Sequence, residues 1–373
     1  MNKLSVCFPL PRFEAGGLER VQMHIALGLI KAGIQTELVT RQVDVRARGL
    51  LKPEVIVRTL GGGRFGFIYR LARWFQKAKP DVIVTSANDI GCIVLLLRRL
   101  FWRDSIVIWT QHLSISGPLR ASKGMRRIRL SLEIWLMRFL VKHADAVIAV
   151  SNSVADDIQY LIDPGLTIQV IYNPVITEDF EQLSRERVEW PWPDCAVPTV
   201  VFVGRLAKVK RIDLLLHAFA LCIQTMPARL LIIGDGLEAG PAKKLMMELH
   251  LGDICKFVGH RDNSLPWIRH AQLLVLCSDS EGFGLVLVEA MACGTQVVST
   301  DCPHGPAELL SEERYGRLVP VGDIEALAVA MSASLKHPYA TVDELKKRAA
   351  EFSVERAVAQ YVAILNNLVR NSP

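Results

Sequence analysis

From residue 273 to residue 300 the chain reads LLVLCSDSEGFGLVLVEAMACGTQVVST. Leu273 to Cys277 is a short continuous apolar run, as in a strand buried on both faces; Val286 to Cys293 is an apolar stretch of helical length; Gln296 to Thr300 is a second β-branched run. Strand, glycine loop, helix and strand in that order describe a parallel βαβ unit, because parallel neighbours must be joined by a long crossover. The loop from Ser278 to Leu285 carries Gly282 and Gly284 into the helix. Such a junction leaves first-turn amides unpaired at the positive end of the helix dipole, where phosphate oxygens are natural guests. Two carboxylates, Glu281 in the loop and Glu289 in the helix, flank this junction. As a glycosidase pair they are poorly placed, since eight helical residues turn through about 800° and leave the side chains about 80° apart. They suit the hydroxyls of two separate groups, one a sugar and the other a ribose, because an ionised carboxylate accepts from paired OH groups.

Working outward, the same alternation of apolar runs and helical segments recurs. The runs are Leu4 to Leu10, Thr36 to Thr40, Val82 to Thr85, Ile106 to Thr110, Ala146 to Val150 and Thr167 to Ile171 in the first half. Thr199 to Val203, Arg229 to Ile233 and Cys255 to Val258 join the two runs already quoted in the second. The pattern predicts an α/β protein of two doubly wound parallel-sheet, Rossmann-like domains. Their bounds are set at 1–180 and 181–350, with a final helical segment at 351–373. The stretch Thr177 to Pro198, with its acids and Trp190-Pro191-Trp192-Pro193, reads as the linker. Val342 to Leu368 reads as one or two amphipathic helices broken near Phe352 and Ser353, with Ser353 a cap.

The chain has 373 residues, half of them apolar and 22% charged, which excludes disorder and collagen-like repeats. The apolar run Ile90 to Leu97 stops at Arg98 and Arg99, far short of a membrane span, and Lys3 to Leu10 runs into Pro9 and Pro11 without a cleavage site. The eight cysteines, at 7, 92, 195, 222, 255, 277, 293 and 302, lack zinc-ribbon and thioredoxin spacing and read as buried small residues in a reducing cytosol. Charge is uneven. Residues 1–180 hold 24 Lys and Arg against 15 Asp and Glu, and the remainder holds 20 against 23. Ten cations fall between Arg98 and Lys142 with only Asp104 and Glu133 against them. From Met125 to Val141 the cations interleave with Met, Ile, Leu, Trp and Phe in a helical rhythm. That pattern fits either a core helix with a solvated basic face or a helix lying on an anionic membrane, the second being favoured. Nucleic acid is not expected, because no zinc finger, helix-turn-helix or aromatic platform accompanies the charge.

Ligands of open α/β sheets sit beyond the carboxyl ends of the strands, so the residues that follow the runs are the ones to inspect. After Thr199 to Val203 come Gly204, Arg205, Lys208, Lys210 and Arg211. A departing diphosphate needs fixed cations or Mg²⁺ beneath it, and here the cations are in the chain. No Asp-x-Asp follows a strand, so no metal site and no cofactor are expected. Gly16 and Gly17, just after the first strand, permit close approach of an anion to the helix that follows, although Gly-x-Gly-x-x-Gly is not completed. His112 follows the Ile106 run and could serve as a base or as a hydrogen-bonding group for a hydroxyl; Asn173 reads as a turn residue.

These residues carry a resemblance, from end to end, to the large retaining family 4 of glycosyltransferases, which has the GT-B fold: two Rossmann-like domains facing a cleft. The matching pieces are Gly16-Gly17-Leu18-Glu19, Thr110-Gln111-His112, Val150-Ser151, Asn173-Pro174, Gly204-Arg205-Leu206 with Lys210, Gly234-Asp235-Gly236, Phe257-Val258-Gly259, the Glu281 to Gly294 string, and Phe352-Ser353-Val354-Glu355-Arg356. The resemblance implies that Arg205 and Lys210 hold a donor diphosphate with help from the amides near Gly284 and Leu285. Glu289 would accept from the ribose hydroxyls, Glu281 would face the transferred sugar, and His112 would contact that sugar from the opposite domain. Gly17 would approach the diphosphate, Gly259 would line the base pocket, and the helix after Phe352 would cross back to the first domain. In retaining members the acceptor attacks the face that the diphosphate leaves, a phosphate oxygen takes the proton, and no dedicated protein base is required. Ile176 stands where members often have an Asp, so no role is carried to that position. Asp301-Cys302-Pro303-His304-Gly305-Pro306-Ala307-Glu308 resembles a variant of bacterial enzymes of lipid-linked and surface polysaccharides.

The expected activity is therefore hexosyl transfer from a nucleotide diphosphate sugar, UDP being the expected nucleotide, to a glycan or lipid-linked acceptor in bacterial cell-surface polysaccharide synthesis. The expected place is the cytoplasm, peripheral to the inner face of the cytoplasmic membrane; the oligomeric state is left open. The rivals are a nucleotide-sugar epimerase or an inverting transferase on the same fold, and a non-catalytic glycan-binding or membrane-scaffold subunit. A nicotinamide-dependent oxidoreductase would need the glycine fingerprint that is absent.

Overall fold

The computed structural model of the chain describes residues 3–14, 16–101, 105–193 and 196–371. Arg103 and Asp104 of the basic segment, and Cys195, lie outside the described residues. The chain divides into two compact units, one formed by residues 1–174 with 354–373 and the other by residues 175–353.

Among the described residues, the first unit has seven parallel strands: β1 Ser5–Leu10, β2 Gln35–Thr40, β3 Ile56–Thr59, β4 Val82–Thr85, β5 Ile106–Gln111, β6 Ala146–Ala149 and β7 Ile168–Val170. They are ordered β3-β2-β1-β4-β5-β6-β7. The second has six: β8 Thr199–Val203, β9 Arg229–Ile233, β10 Cys255–Gly259, β11 Leu273–Leu276, β12 Gln296–Thr300 and β13 Arg317–Val319, ordered β10-β9-β8-β11-β12-β13. The inner strands β4, β5, β11 and β12 are buried along their whole length. That matches strands covered on both faces, and it explains why they read as unbroken apolar runs. Each unit is thus a doubly wound Rossmann-like sheet.

Helix–sheet packing in the first unit is close enough to require glycine. A Cβ on Gly91, in the helix Asn88–Phe101, would lie 2.4 Å from the Trp109 ring of β5. The last helix, Val354–Asn371, belongs to this unit and packs on the helix Gly17–Lys31, where a Cβ on Gly28 would lie 2.3 Å from Val358 Cγ2. It buries Ala357, Val358, Tyr361, Ile364 and Leu365, an i, i+1, i+4, i+7, i+8 stripe.

The linker expected at Thr177 to Pro198 is not the junction. The units part at Pro174/Val175 and at Ser353/Val354. The expected linker instead folds onto the second unit: Phe180 is buried, Arg269 reaches Glu181 at 3.4 Å, and Trp190 stacks on Trp267 with ring centroids 5.9 Å apart. Its large rings gain more from burial than a solvated linker allows. The helix break near Phe352 is present, separating Val342–Ala350 from Val354–Asn371.

Gly28→Leu should lower the stability of the chain by about 1–3 kcal/mol in denaturant unfolding, since Val358 is stiff and cannot yield. Adding Val358→Ala should restore part of the loss; an unchanged midpoint in the single variant would contradict the contact.

Candidate functional site

In the second sheet the strand order reverses between β8 and β11. Connections leave those two neighbours in opposite directions, so a crevice opens beyond their carboxyl ends. The loops that border it are Gly204 to Arg211, after β8, and Cys277 to Gly284, after β11. They are stitched together. Lys210 Nζ donates to Glu281 Oε1 at 2.5 Å, and Ser278 Oγ donates to the same oxygen at 2.5 Å. The Asp279 amide donates to the Val209 carbonyl at 2.8 Å, and Arg211 Nη1 pairs with Asp279 Oδ1 at 3.0 Å. From below, the Cys277 thiol donates to the Lys210 and Arg211 carbonyls at 3.1 and 3.2 Å. Burial pushes that thiol well up and keeps it protonated, so it acts as a donor here. Lys210 and Glu281 are both largely shielded, so their attraction is less weakened by water than a surface pair's would be. An ammonium has three donors and one is engaged by Glu281, which leaves the group able to accept an anionic guest.

The glycines of Gly234-Asp235-Gly236 explain how the β8 loop is laid down. A Cβ on Gly234 (φ +144°) would stand 1.8 Å from the Gly204 carbonyl oxygen, and one on Gly236 (φ +156°) would stand 2.2 Å from that of Leu206. Bare backbone lets the β9 loop run under the β8 loop, where Gly204 N donates to Ile233 O and Leu206 N to Asp235 O. Arg205 is held between these anchors with its side chain exposed. Gly259, at the end of β10, accepts from the Gly234 amide at 2.9 Å and so stands on the same edge.

The helix Leu285–Cys293 starts at Gly284, and no side chain caps it. The Leu287 amide turns back to the Gly284 carbonyl at 2.9 Å, and no side chain meets the amides ahead of it, which face solvent or a ligand. Glu289, four residues into the helix, is 5% exposed rather than a surface acid. The segment after β12 braces this junction: the Glu281 amide lies 3.5 Å from the Pro303 carbonyl, and the Phe283 carbonyl occupies the space where a Cβ of Gly305 would be.

The remaining expected residues, His112, Gly16 and Gly17, are in the first unit. Gly16 precedes the 15-residue helix Gly17–Lys31, again without a side-chain cap. His112, directly after β5, is buried, and burial lowers its pKa to about 4 against an ordinary 6.5 while a hydrogen bond with the Asn173 side chain opposes the shift. The imidazole is therefore neutral at pH 7 and only weakly basic, and it is the weak basicity that favours the hydrogen-bonding reading over the general-base one. Asn173, read from sequence as a turn residue, is also buried and orients the ring. Only proximity in the fold reveals that partnership, since 61 residues separate the two positions.

Comparison with known proteins identifies the fold and the family. Sucrose-phosphate synthase from Thermosynechococcus elongatus shares the fold with a TM-score of 0.84 at 22% identity, covering 99% of this chain and 100% of that one. Anabaena Alr3699/HepE in complex with UDP and glucose does so at 0.78 and 20%, covering 98% and 100%. The fold is that of the GT-B glycosyltransferases. Residues 15–179 match the family described as Glycosyltransferase Family 4, and residues 194–352 match Glycosyl transferases group 1. The chain is 34% identical to D-inositol 3-phosphate glycosyltransferase 2 of Catenulispora acidiphila, over 88% of this chain and 84% of that protein. It is 31% identical to N-acetyl-alpha-D-glucosaminyl L-malate synthase of Bacillus anthracis, a match that spans 63% of each chain. With the lipopolysaccharide 1,6-galactosyltransferase of Escherichia coli K12 the identity is 25% over 85% of both. The chain belongs to glycosyltransferase family 4.

A buried histidine whose folded pKa lies below its unfolded value stabilises the protein above pH 6.5 and loses that contribution as the pH falls towards 4. Wild-type stability should therefore fall between these limits by an amount on the order of 3 kcal/mol from this group. His112→Gln, measured by urea unfolding at pH 7 and pH 5, should flatten that part of the profile.

Proposed function

We propose that the chain is a retaining hexosyltransferase, using a UDP-sugar as donor and a glycan or lipid-linked acceptor of bacterial cell-surface polysaccharide. The observation that carries this reading is the Lys210–Glu281 contact beside an uncapped helix start, at the reversal of strand order. A cation, a carboxylate and free amides on one edge match the three needs of a nucleotide sugar: charge under the diphosphate, donors to its oxygens, and an acceptor for sugar hydroxyls. UDP is favoured by the likeness to the fold of a protein solved with UDP and glucose, and the acceptor class by the likeness to a lipopolysaccharide galactosyltransferase.

In the proposed reaction the bond between the sugar anomeric carbon and the diphosphate oxygen breaks through an oxocarbenium-like state. The acceptor oxygen bonds to that carbon on the same face, and its proton passes to a phosphate oxygen of the leaving group. Arg205 and Lys210, with the amides of Gly284 and Leu285, stabilise the departing charge, and no divalent metal is needed. Glu281 holds the sugar hydroxyls, Glu289 the ribose, and Gly259 borders the base. For the first unit the proposed roles are separate: His112 is a neutral hydrogen-bonding group for a sugar hydroxyl, and the helix start at Gly16 and Gly17 is a place for phosphate oxygens.

The chain is further proposed to work peripherally at the inner face of the cytoplasmic membrane. Among the described residues no helix is long and apolar enough to cross a bilayer. The helix Gly124–Leu140 docks through Ile134 and Met137 and presents the opposite face outward. That outer face is apolar: Met125 is 80% exposed, Ile128 63%, Leu132 57%, Trp135 53% and Phe139 50%. At helical spacing these positions fall within an arc of about 80°. A core helix with a solvated basic face would show the reverse. Arg129 borders the arc on one side, and Arg126 and Arg127 are exposed further round the same first turns, which suits acyl chains beneath anionic headgroups.

Arg205→Ala and Lys210→Ala should each lower kcat at least about 10²–10³-fold, the exposed Arg205 variant keeping an unfolding midpoint near wild type, and EDTA should leave the wild-type rate unchanged. Wild-type turnover in both variants, or loss of activity on chelation, would remove the scheme. In flotation assays at low salt, the protein should rise with phosphatidylglycerol vesicles and not with phosphatidylcholine ones. The triple variant Ile128→Ser, Trp135→Ser, Phe139→Ser should stay at the bottom of the gradient.

A further inference from the structure

We propose that Phe352 is a positioning residue that ties the passage of the chain between its two units to the donor loop; the significance of that loop rests on the function proposed above. Val175 is the first residue of the second unit and Ser353 is its last, so both passages leave it at neighbouring places. They are joined there. The Phe352 carbonyl accepts from the Val175 and Ile176 amides at 2.9 and 3.1 Å, and Ile176 and Ser353 form an isolated parallel bridge.

The side chain of the same residue points to the donor site. Its ring is 1% exposed and meets Phe283 edge to face, with centroids 5.7 Å apart and planes at 76°. Phe283 lies between Glu281 and Gly284, inside the loop that carries the carboxylate and opens the uncapped helix. The Arg348 guanidinium also lies over the Phe352 ring, 4.9 Å from its centroid. Arg348 is fixed in turn, donating to the Glu308 carbonyl at 2.7 Å, to the Leu309 carbonyl at 3.0 Å and to Glu351 at 2.7 Å. Glu308 and Leu309 belong to the segment after Gly305, the glycine against which the Phe283 carbonyl rests. One residue thus fastens the passage through its backbone and the donor loop through its ring.

Close-packed contacts of this kind have no slack: the ring cannot shift without moving Phe283 or leaving a void. Occupancy of the donor loop and order at the passage are therefore energetically coupled, and the coupling acts equally in both directions. Phe352 touches no reacting atom; it sets where Glu281 and the first helix amides stand.

Three full-length variants test this: Phe352→Leu, Phe283→Leu and the double variant, with Arg348→Lys as a milder perturbation that keeps the charge and loses the planar stack. Backbone hydrogen exchange of the ligand-free proteins is the first readout. Phe352→Leu should speed exchange about tenfold across residues 281–287, and Phe283→Leu should speed it at Val175 and Ile176, with no change in β9. The double variant should be no faster than the faster single one. Unchanged exchange at the distant segment, or additive effects in the double variant, would overturn the proposal. In kinetics the donor KM should rise about tenfold in Phe352→Leu while the acceptor KM and kcat move less than twofold; equal changes in all three would mean general loss of structure and would also overturn it. If the wild type bound none of UDP, GDP and ADP, the donor reading would fail while the exchange experiment still decided the coupling.

Discussion

A parallel sheet built by right-handed crossovers fills outward from its first strand, and when the chain turns back to add strands on the other side, two neighbours must send their connections apart. In this protein that happens twice, between β1 and β4 and between β8 and β11. No side chain is needed to make the resulting crevice, because the topology makes it. Side chains decide what it holds. In the second unit the two bordering loops supply a lysine, a glutamate and an uncapped helix start, and glycines at 234 and 236 bring the backbones close enough for the loops to share hydrogen bonds.

Electrostatics in the second unit are arranged as a mutual restraint. Lys210 and Glu281 hold each other largely out of water, and Ser278 supports the same carboxylate oxygen. A buried pair of this kind contributes little net stability, since the cost of desolvating both charges offsets much of their attraction. Its value is orientation: the two groups are fixed before a ligand arrives, which lowers the entropy lost on binding. The first unit follows a different rule at His112. There burial removes charge instead of pairing it, and Asn173 fixes the ring by a neutral contact.

Most of the scaffold was legible because the inner strands are buried on both faces and so are mostly apolar and β-branched, even where they end in buried Thr, Ser or Gln. The two strands that pattern reading missed, β3 and β13, sit at sheet edges, are four and three residues long, and carry Arg58 and Arg317. An edge strand has less to bury and leaves a fainter trace. The candidate site was legible where residues are consecutive, as from Glu281 to Gly294. Its contacts were not: Lys210 and Glu281 are 71 positions apart, and Asn173 and Phe352 declare their roles only through neighbours that the fold brings to them. The segment around Trp190 misled for a related reason. Prolines and acids suggested solvent, whereas the stacking of its rings on Trp267 is a tertiary fact.

The first unit is discontinuous: its sheet is drawn from residues 1–174, while the helix that covers Gly17–Lys31, Val354–Asn371, follows the whole of the second unit in sequence. During synthesis this inverts the usual order, in which amino-terminal domains mature first. The second unit is contiguous and can close while later residues are still within the ribosome. The first unit must wait, with the face around Gly28 uncovered, until Val358 and Tyr361 emerge. For that interval the helix Gly17–Lys31 carries an apolar stripe with no partner to cover it, and the small residue at Gly28 that later admits Val358 has nothing against it.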